Sequence, residues 1–298
     1  MDQLLTELEK QKIEWETDCP LSQHSTFRIG GRARLALFPD TREKLVGVLR
    51  MLQDAGIPVL VVGRGSNVVF SDGGYDGAVI LTDKCRAVRV CGERIYADAG
   101  VLLSKLANEA REASLSGVEF AHGIPGTLGG AIYMNAGAYG GSMDAVCVAT
   151  ECYDLDSGRI CTFRGAQQAF GYRTSVFEQR GRYVILGAEL ALKVGDPSRI
   201  SAQMRDYWER RKASQPLEFP SAGSVFKRPE GHFAGKLIED CGLKGLTVGG
   251  AQVSEKHAGF IINRGSATCE DVKRLVEQIQ AVVLERTGVA LECEIRFL

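Results

Sequence analysis

The chain has no surplus of positive charge. Its 36 Lys and Arg residues stand against 37 Asp and Glu, a net charge of -1 over 298 residues. Broad binding of nucleic acid or of an anionic membrane surface needs excess cations to neutralise phosphate, so neither is expected. A small anionic ligand gripped by a few local cations remains open. Long apolar runs are missing too: none approaches the ~20 residues of a membrane-spanning helix. The acidic start MDQLLTELEK also lacks the basic-then-apolar plan of a signal peptide, so the expectation is a cytoplasmic protein. Histidine is scarce, with four scattered residues, and the nine cysteines include no C-x-x-C pair. Those shortages argue against a metal centre, and the odd count argues against a disulfide framework. Runs such as AVCVATECYDL place cysteine among apolar neighbours, as reduced core thiols would be. The usual nucleotide signatures are absent as well. GRGSNV lacks the third glycine of a dinucleotide fingerprint, and GHFAGKL has the wrong spacing for a phosphate loop, with Leu after its Lys.

What is present suffices for a packed core: 45% apolar residues, 24% charged, and length for two or three small domains. RLALFP reads as a strand. TREKLVGVLRMLQDAG reads as a helix with Leu45, Val48, Leu49 and Leu52 on one face and Gly56 ending it. PVLVVG is a continuous apolar run, as a buried parallel strand would be. AVRVCGERIYADAG and CYDLDSGRICTF predict hairpins around VLLSKLANEARE, a helix, and RYVILGAELALKV predicts a further strand. Asp196-Pro197 opens a helix whose buried stripe is expected at Ile200, Met204, Tyr207 and Trp208. After the linker SQPLEFP come a helix at HFAGKLIEDCG, strands at LTVGGAQVS and HAGFIIN, a helix from Thr268 to about Arg286, and a closing strand VALECEIRFL. Thr268 with Asp271 three residues on resembles a capping box. The organisation is an α+β mixture divided near residue 213, with a further division near residue 84.

Glycine is concentrated where charge is not. GIPGTLGGAIYMNAGAYGG, residues 123–141, holds seven glycines and no charged side chain, and GRGSN at 63–67 directly follows a strand. Bare backbone lets amides approach a ligand, so the pair of loops fits a pyrophosphate bound more by N–H groups than by Lys or Arg. Ser66, Asn67 and Thr127 are donors within them; Ile124, Leu128, Ile132, Tyr133 and Met134 are able to cover a flat ring. Tight turns and close strand contacts explain a single such loop equally well.

Taken together, GRGSNVV, GIPGTLGGAIYMNAGAYG, GYRTSVF, PSAGSVFKRP and LECEIRF resemble the UDP-N-acetylenolpyruvoylglucosamine reductases, in family order from about His24 to Arg296, and the short C-terminus resembles the shorter, second type. The resemblance implies a two-subdomain FAD-binding fold of the vanillyl-alcohol-oxidase (PCMH) type over residues 1–84 and 85–213, with a C-terminal α/β substrate domain over 214–298. It implies non-covalent FAD held by Gly63, Gly65, Ser66, Asn67, Gly123, Ile124, Pro125, Gly126, Thr127, Gly129, Gly130, Ala136 and Gly137. NADPH would reduce FAD, and flavin N5 would pass hydride to C3 of the enolpyruvyl ether of a UDP-sugar, a step of peptidoglycan precursor synthesis. Arg173, Ser224 and Glu294 match the family's catalytic positions. Tyr172, Lys212 and Arg228 match substrate contacts. Some relatives carry Asn in place of Arg228 and a glutamine near His257.

The residue types suit those roles. A guanidinium offers a permanent charge and a bidentate fork to a carboxylate, which fits Arg173. A serine at ordinary acidity needs positive surroundings to give up a proton at C2, and Lys227 and Arg228 follow Ser224 by three and four residues. Alternation over Leu291, Cys293, Ile295 and Phe297 puts Glu294 on a polar face but does not separate it from Glu292. The plain alternatives are a surface ion pair for Arg173, a turn for Ala222-Gly223-Ser224, and an ordinary helix-end lysine for Lys212. Two rival functions stay open: another FAD-linked oxidoreductase acting on a hydroxy acid or alcohol, and a flavin- or nucleotide-binding module without catalysis. His122 lies near the loop that tethers flavin in some such oxidases, but the surrounding PGTLGG pattern speaks against a tether.

Overall fold

The computed structural model describes residues 2–178 and 181–298. They form two compact units. One comprises Met1–Asp18, Arg34–Arg64 and Asp76–Glu209; the other comprises Cys19–Ala33, Gly65–Tyr75 and Arg210–Leu298. Each is mixed α and β, and among the described residues no helix is long and apolar enough to cross a membrane.

The first unit carries two sheets. One runs in the order Glu14–Pro20, Arg32–Phe38, Tyr75–Leu81, Val59–Val62. The helix Arg42–Asp54 packs Leu45, Val48, Leu49 and Leu52, all fully buried, into a cluster with Leu35, Leu37 and Ile80. Thr41 caps it by accepting the Lys44 amide at 3.2 Å, and Gly56 follows its end at φ +63°, a conformation that favours glycine. Val59–Val62 pairs in parallel with Tyr75–Leu81 as expected, but it is the edge strand, and only Val62 is buried. With one partner instead of two, an apolar run cannot be covered as a central strand would be.

The second sheet of this unit is antiparallel throughout, in the order Arg159–Arg164, Cys147–Asp154, Tyr183–Ala191, Arg94–Asp98, Val88–Cys91. The two expected hairpins are its two flanks, joined by the central strand. Ile95, Ile185 and Leu190 share a core with Leu103, Leu106 and Ala110 of helix Leu103–Glu112 and with Leu128 and Ile132 of helix Leu128–Tyr133. On helix Pro197–Ser214, Ile200 and Met204 are buried with Ala107, but Trp208 is 41% exposed. The stripe continues instead through half-buried Tyr207 to buried Arg211, because 3.6 residues per turn carry the apolar face past position 208.

The second unit is an antiparallel sheet ordered Ser221–Ser224, Phe260–Asn263, Ala251–Val253, Thr247–Val248. Helix Cys269–Thr287 covers it with Val272, Leu275, Val276, Ile279 and Val283. The Thr268–Asp271 capping box forms as expected, and the Asp72 carboxylate accepts the amides of Cys269 and Glu270 at 2.8 and 3.0 Å. That contact and Asn263 Nδ2 donating to Phe27 O at 3.0 Å tie residues 65–75 and 19–33 into this unit. The expected closing strand is regular only at Arg296–Phe297, which runs parallel to Val68–Val69. Before it the amides of Glu294 and Ile295 converge on one carbonyl, that of Val225, at 2.7 and 3.4 Å, so two residues face one and the strand bends. All nine cysteines are free thiols, six of them buried. Burial pushes the Cys85 and Cys147 thiols up to about 12 and about 11, which keeps them inert.

Candidate active site

In the first unit the two glycine-rich stretches meet. A Cβ on Gly63 would lie 2.1 Å from Thr127 Oγ1, so only glycine allows this approach. Thr127 is 1% exposed, and its hydroxyl has no hydrogen-bond partner among the described residues. An orphaned buried hydroxyl costs about 1–3 kcal/mol unless something satisfies it. Around it the backbone is partly spent on the fold: the amides of Leu128 and Gly129 donate to Val101 and Ala99 at 2.8 Å each, and Gly126 O accepts from Leu103. Gly129 packs against Ala99, whereas the nearest atom to a Cβ on Gly130 would be Thr127 Oγ1 at 3.7 Å. Gly123, Ile124 and Pro125 form the turn before Gly126, and the Ile124 amide donates to Ala121. Burial, then the Arg111 charge, lowers the pKa of His122, favouring its neutral form.

Arg173 sits on a tight turn in which Gly171 and Thr174 exchange backbone hydrogen bonds at 3.0 and 3.4 Å. Its own φ is +56°, a left-handed conformation that costs a non-glycine residue about 1 kcal/mol. The guanidinium donates to Gly137 O at 3.0 Å and to Asn135 O at 3.5 Å, and lies 5.3 Å from the centre of the Tyr172 ring. Tyr172 is 55% exposed. The structure therefore brings Arg173, Gly137 and Asn135 together. Ala136 is buried beside them, its amide donating to Ala131 at 2.7 Å. The one sequence signal for Asn135 is an asparagine followed by Ala-Gly, a setting that tolerates left-handed backbone.

In the second unit Ser224, Glu294 and Asn67 belong to one constellation. Gly223 at φ +80° coincides with a register irregularity between Ser221 and Ser224, and this bulge leaves Ser224 exposed while Ala222 and Val225 are buried. Val225 O accepts the Glu294 amide at 2.7 Å, and Asn67 Nδ2 donates to Glu294 O at 3.1 Å. Thr26 links the neighbouring segments through its amide to Gly65 O at 3.1 Å and its hydroxyl to Ser221 O at 2.8 Å. Gly65, at φ +63°, packs against His24 and Ser25; Ser66 follows it, half-buried. The expected cations take other partners. Lys227 Nζ pairs with Glu292 Oε1 at 2.5 Å, and the Arg228 guanidinium lies 3.9 Å from the Phe233 ring centre. Lys212 is exposed at its helix end, its carbonyl accepting Lys256 Nζ at 2.7 Å. Burial lowers the pKa of His257, and its Nδ1 accepts the Gly259 amide.

The residues present fit an FAD group on one decisive feature: a satisfiable, buried hydroxyl facing bare backbone in an uncharged loop. Comparison with known proteins agrees. A family model described as an FAD binding domain matches residues 33–164, and one described as the C-terminal domain of UDP-N-acetylenolpyruvoylglucosamine reductase matches residues 215–298. The chain is 47% identical to the UDP-N-acetylenolpyruvoylglucosamine reductase of Caldicellulosiruptor bescii, over 98% of its own length and 93% of the relative's. It is 45% identical to that of Clostridioides difficile, over 99% and 96%. The crystal structure of UDP-N-acetylenolpyruvylglucosamine reductase from Thermus caldophilus superposes with a TM-score of 0.80 at 35% identity, covering 96% of this chain and 98% of that one. A structure of alkyldihydroxyacetonephosphate synthase shares the fold over 65% of this chain, with a TM-score of 0.51 at 13% identity.

Proposed function

The chain belongs to the UDP-N-acetylenolpyruvoylglucosamine reductase family, and from that premise we propose how its residues divide the work. It is an FAD-containing oxidoreductase of peptidoglycan precursor synthesis that reduces the enolpyruvyl ether of a UDP-sugar to a lactyl ether. NADPH is the proposed electron source, and the cytoplasm the proposed compartment. The observation that carries the reading is near-full-length identity to named reductases, joined to the orphaned Thr127 hydroxyl that a cofactor would satisfy.

FAD, when bound, supplies a group that takes hydride from a nicotinamide and returns it to carbon. Gly63, Thr127, Gly130 and the 123–137 backbone of the first unit would hold it. The reaction adds hydride at C3 and a proton at C2 of the enolpyruvyl group, so negative charge builds at C2 and spreads into the adjacent carboxylate. Arg173 grips that carboxylate, because a guanidinium keeps its charge and presents a planar fork of donors that pairs with a carboxylate bidentately. Ser224, exposed by the bulge at Gly223, delivers the proton to C2. Glu294 orients the enol carboxylate or assists protonation, and its backbone is held by Val225. Tyr172, Lys212 and Arg228 contact the sugar nucleotide. The boundaries near residues 84 and 213 mark the proposed FAD-binding subdomains and substrate domain.

The test is consumption of NADPH by the purified protein. The reading requires oxidation that depends on the enolpyruvyl sugar nucleotide; equal oxidation with hydroxy acids or alcohols, or with no substrate at all, would overturn it in favour of another flavin-linked activity.

A further inference from the structure

Asn135 is 4% exposed and makes a hydrogen bond with each of its two side-chain ends. Nδ2 donates to Gly171 O at 2.9 Å, at the start of the turn that carries Arg173. Oδ1 accepts the Asp144 amide at 3.0 Å, from the loop that follows the glycine-rich segment. Its own carbonyl accepts from Arg173 Nη1 at 3.5 Å, and Gly137, two residues on, supplies the carbonyl for Nη2 at 3.0 Å. Its φ of +46° turns the backbone so that side chain and carbonyl serve the same arginine. One residue thereby fixes the turn beneath Arg173 and the acceptor in front of it. Ser175 reinforces the turn from the other side, its hydroxyl donating to Tyr133 O at 2.6 Å.

We propose that Asn135 is a positioning residue for Arg173: it holds the 171–174 turn and the guanidinium in the one orientation that meets the substrate carboxylate. The proposal rests on the reading of Arg173 as the carboxylate grip. Among these contacts, an asparagine amide alone supplies both the donor to Gly171 O and the acceptor for Asp144 N, and asparagine tolerates left-handed backbone better than most residues.

The experiment is a double-mutant cycle on FAD-loaded enzyme with Asn135→Gly and Arg173→Lys, reading kcat/KM for the enolpyruvyl sugar nucleotide. Glycine keeps the left-handed backbone and removes only the side-chain bonds. Each single variant is expected to lose about tenfold to a hundredfold in kcat/KM, the usual scale for a misplaced catalytic group. The double variant is expected to stay within about threefold of Arg173→Lys alone, since two residues acting through one guanidinium do not add. Losses that multiply would overturn the proposal, as would wild-type kinetics in Asn135→Gly. Wild-type kinetics in Arg173→Lys would instead overturn the reading of Arg173 itself. Should Asn135→Gly fail to fold, Asn135→Asp runs the same cycle: it keeps the acceptor and loses the donor to Gly171, with the same outcomes decisive.

Discussion

At the scale of single residues, local geometry separates side chains that sequence reading treats alike. Glu292 and Glu294 are two residues apart on one strand pattern, yet Glu292 is exposed and paired with Lys227 while Glu294 is half-buried with its backbone held by Val225 and Asn67. Substituting Glu292→Gln should leave kcat within about twofold, since an exposed ion pair is worth little. Ser224→Ala should lower kcat by about two to four orders of magnitude, the range for loss of a positioned acid, with the flavin spectrum unchanged. Steady-state kinetics on both variants decides this; equal effects would contradict the assignment. Thr127→Val tests the cofactor contact, because it removes the orphaned hydroxyl at nearly constant volume. FAD should bind roughly tenfold more weakly, as befits loss of a single hydrogen bond of about 1.4 kcal/mol, measured by titrating apoprotein.

At the scale of elements, most of the pattern was legible. The helix Arg42–Asp54, the Thr268 cap, both hairpins and the antiparallel strands follow from periodicity and turn chemistry. What was not legible depends on partners distant in sequence. Whether Val59–Val62 is an edge depends on which strands flank it. Whether VALECEIRFL stays regular depends on Val225 taking two amides at once. The bulge at Gly223 was hidden in the same way, although it is what exposes Ser224. Placing Val at 223, where φ is +80°, should cost about 1–2 kcal/mol and reduce turnover with little change in FAD content. Thermal melting and kinetics together check it, and a variant with normal turnover would show that the bulge does not matter for Ser224. The proposed roles of Arg173, Ser224 and Glu294 rest on motif matches alone, because periodicity carries no information on which polar residue faces a ligand.

At the scale of the whole molecule, each unit contains a histidine whose protonation burial disfavours, His122 in the first and His257 in the second. Their folded values lie below the ordinary 6.5, so at mildly acidic pH the unfolded chain binds protons that the folded one does not. Stability should therefore fall as pH drops below about 6.5 and stop falling from this source once the folded values are passed. Melting temperature against pH measures it, and replacing both histidines should flatten that limb; an unchanged slope would assign it to other groups. The division of the chain into interleaved segments was not visible in composition, since residues 19–33 and 65–75 join the second unit through partners distant in sequence, such as Asp72 on the Cys269 amide and Val68–Val69 beside Arg296–Phe297.

The most direct measurement is anaerobic: the purified protein is reduced until its flavin absorbance is bleached, and the enolpyruvyl sugar nucleotide is then added. The absorbance should return in proportion to the nucleotide supplied, with the lactyl ether as product. A protein that carries no flavin and cannot be reconstituted, or one whose bleached spectrum is indifferent to that nucleotide, would contradict the assignment.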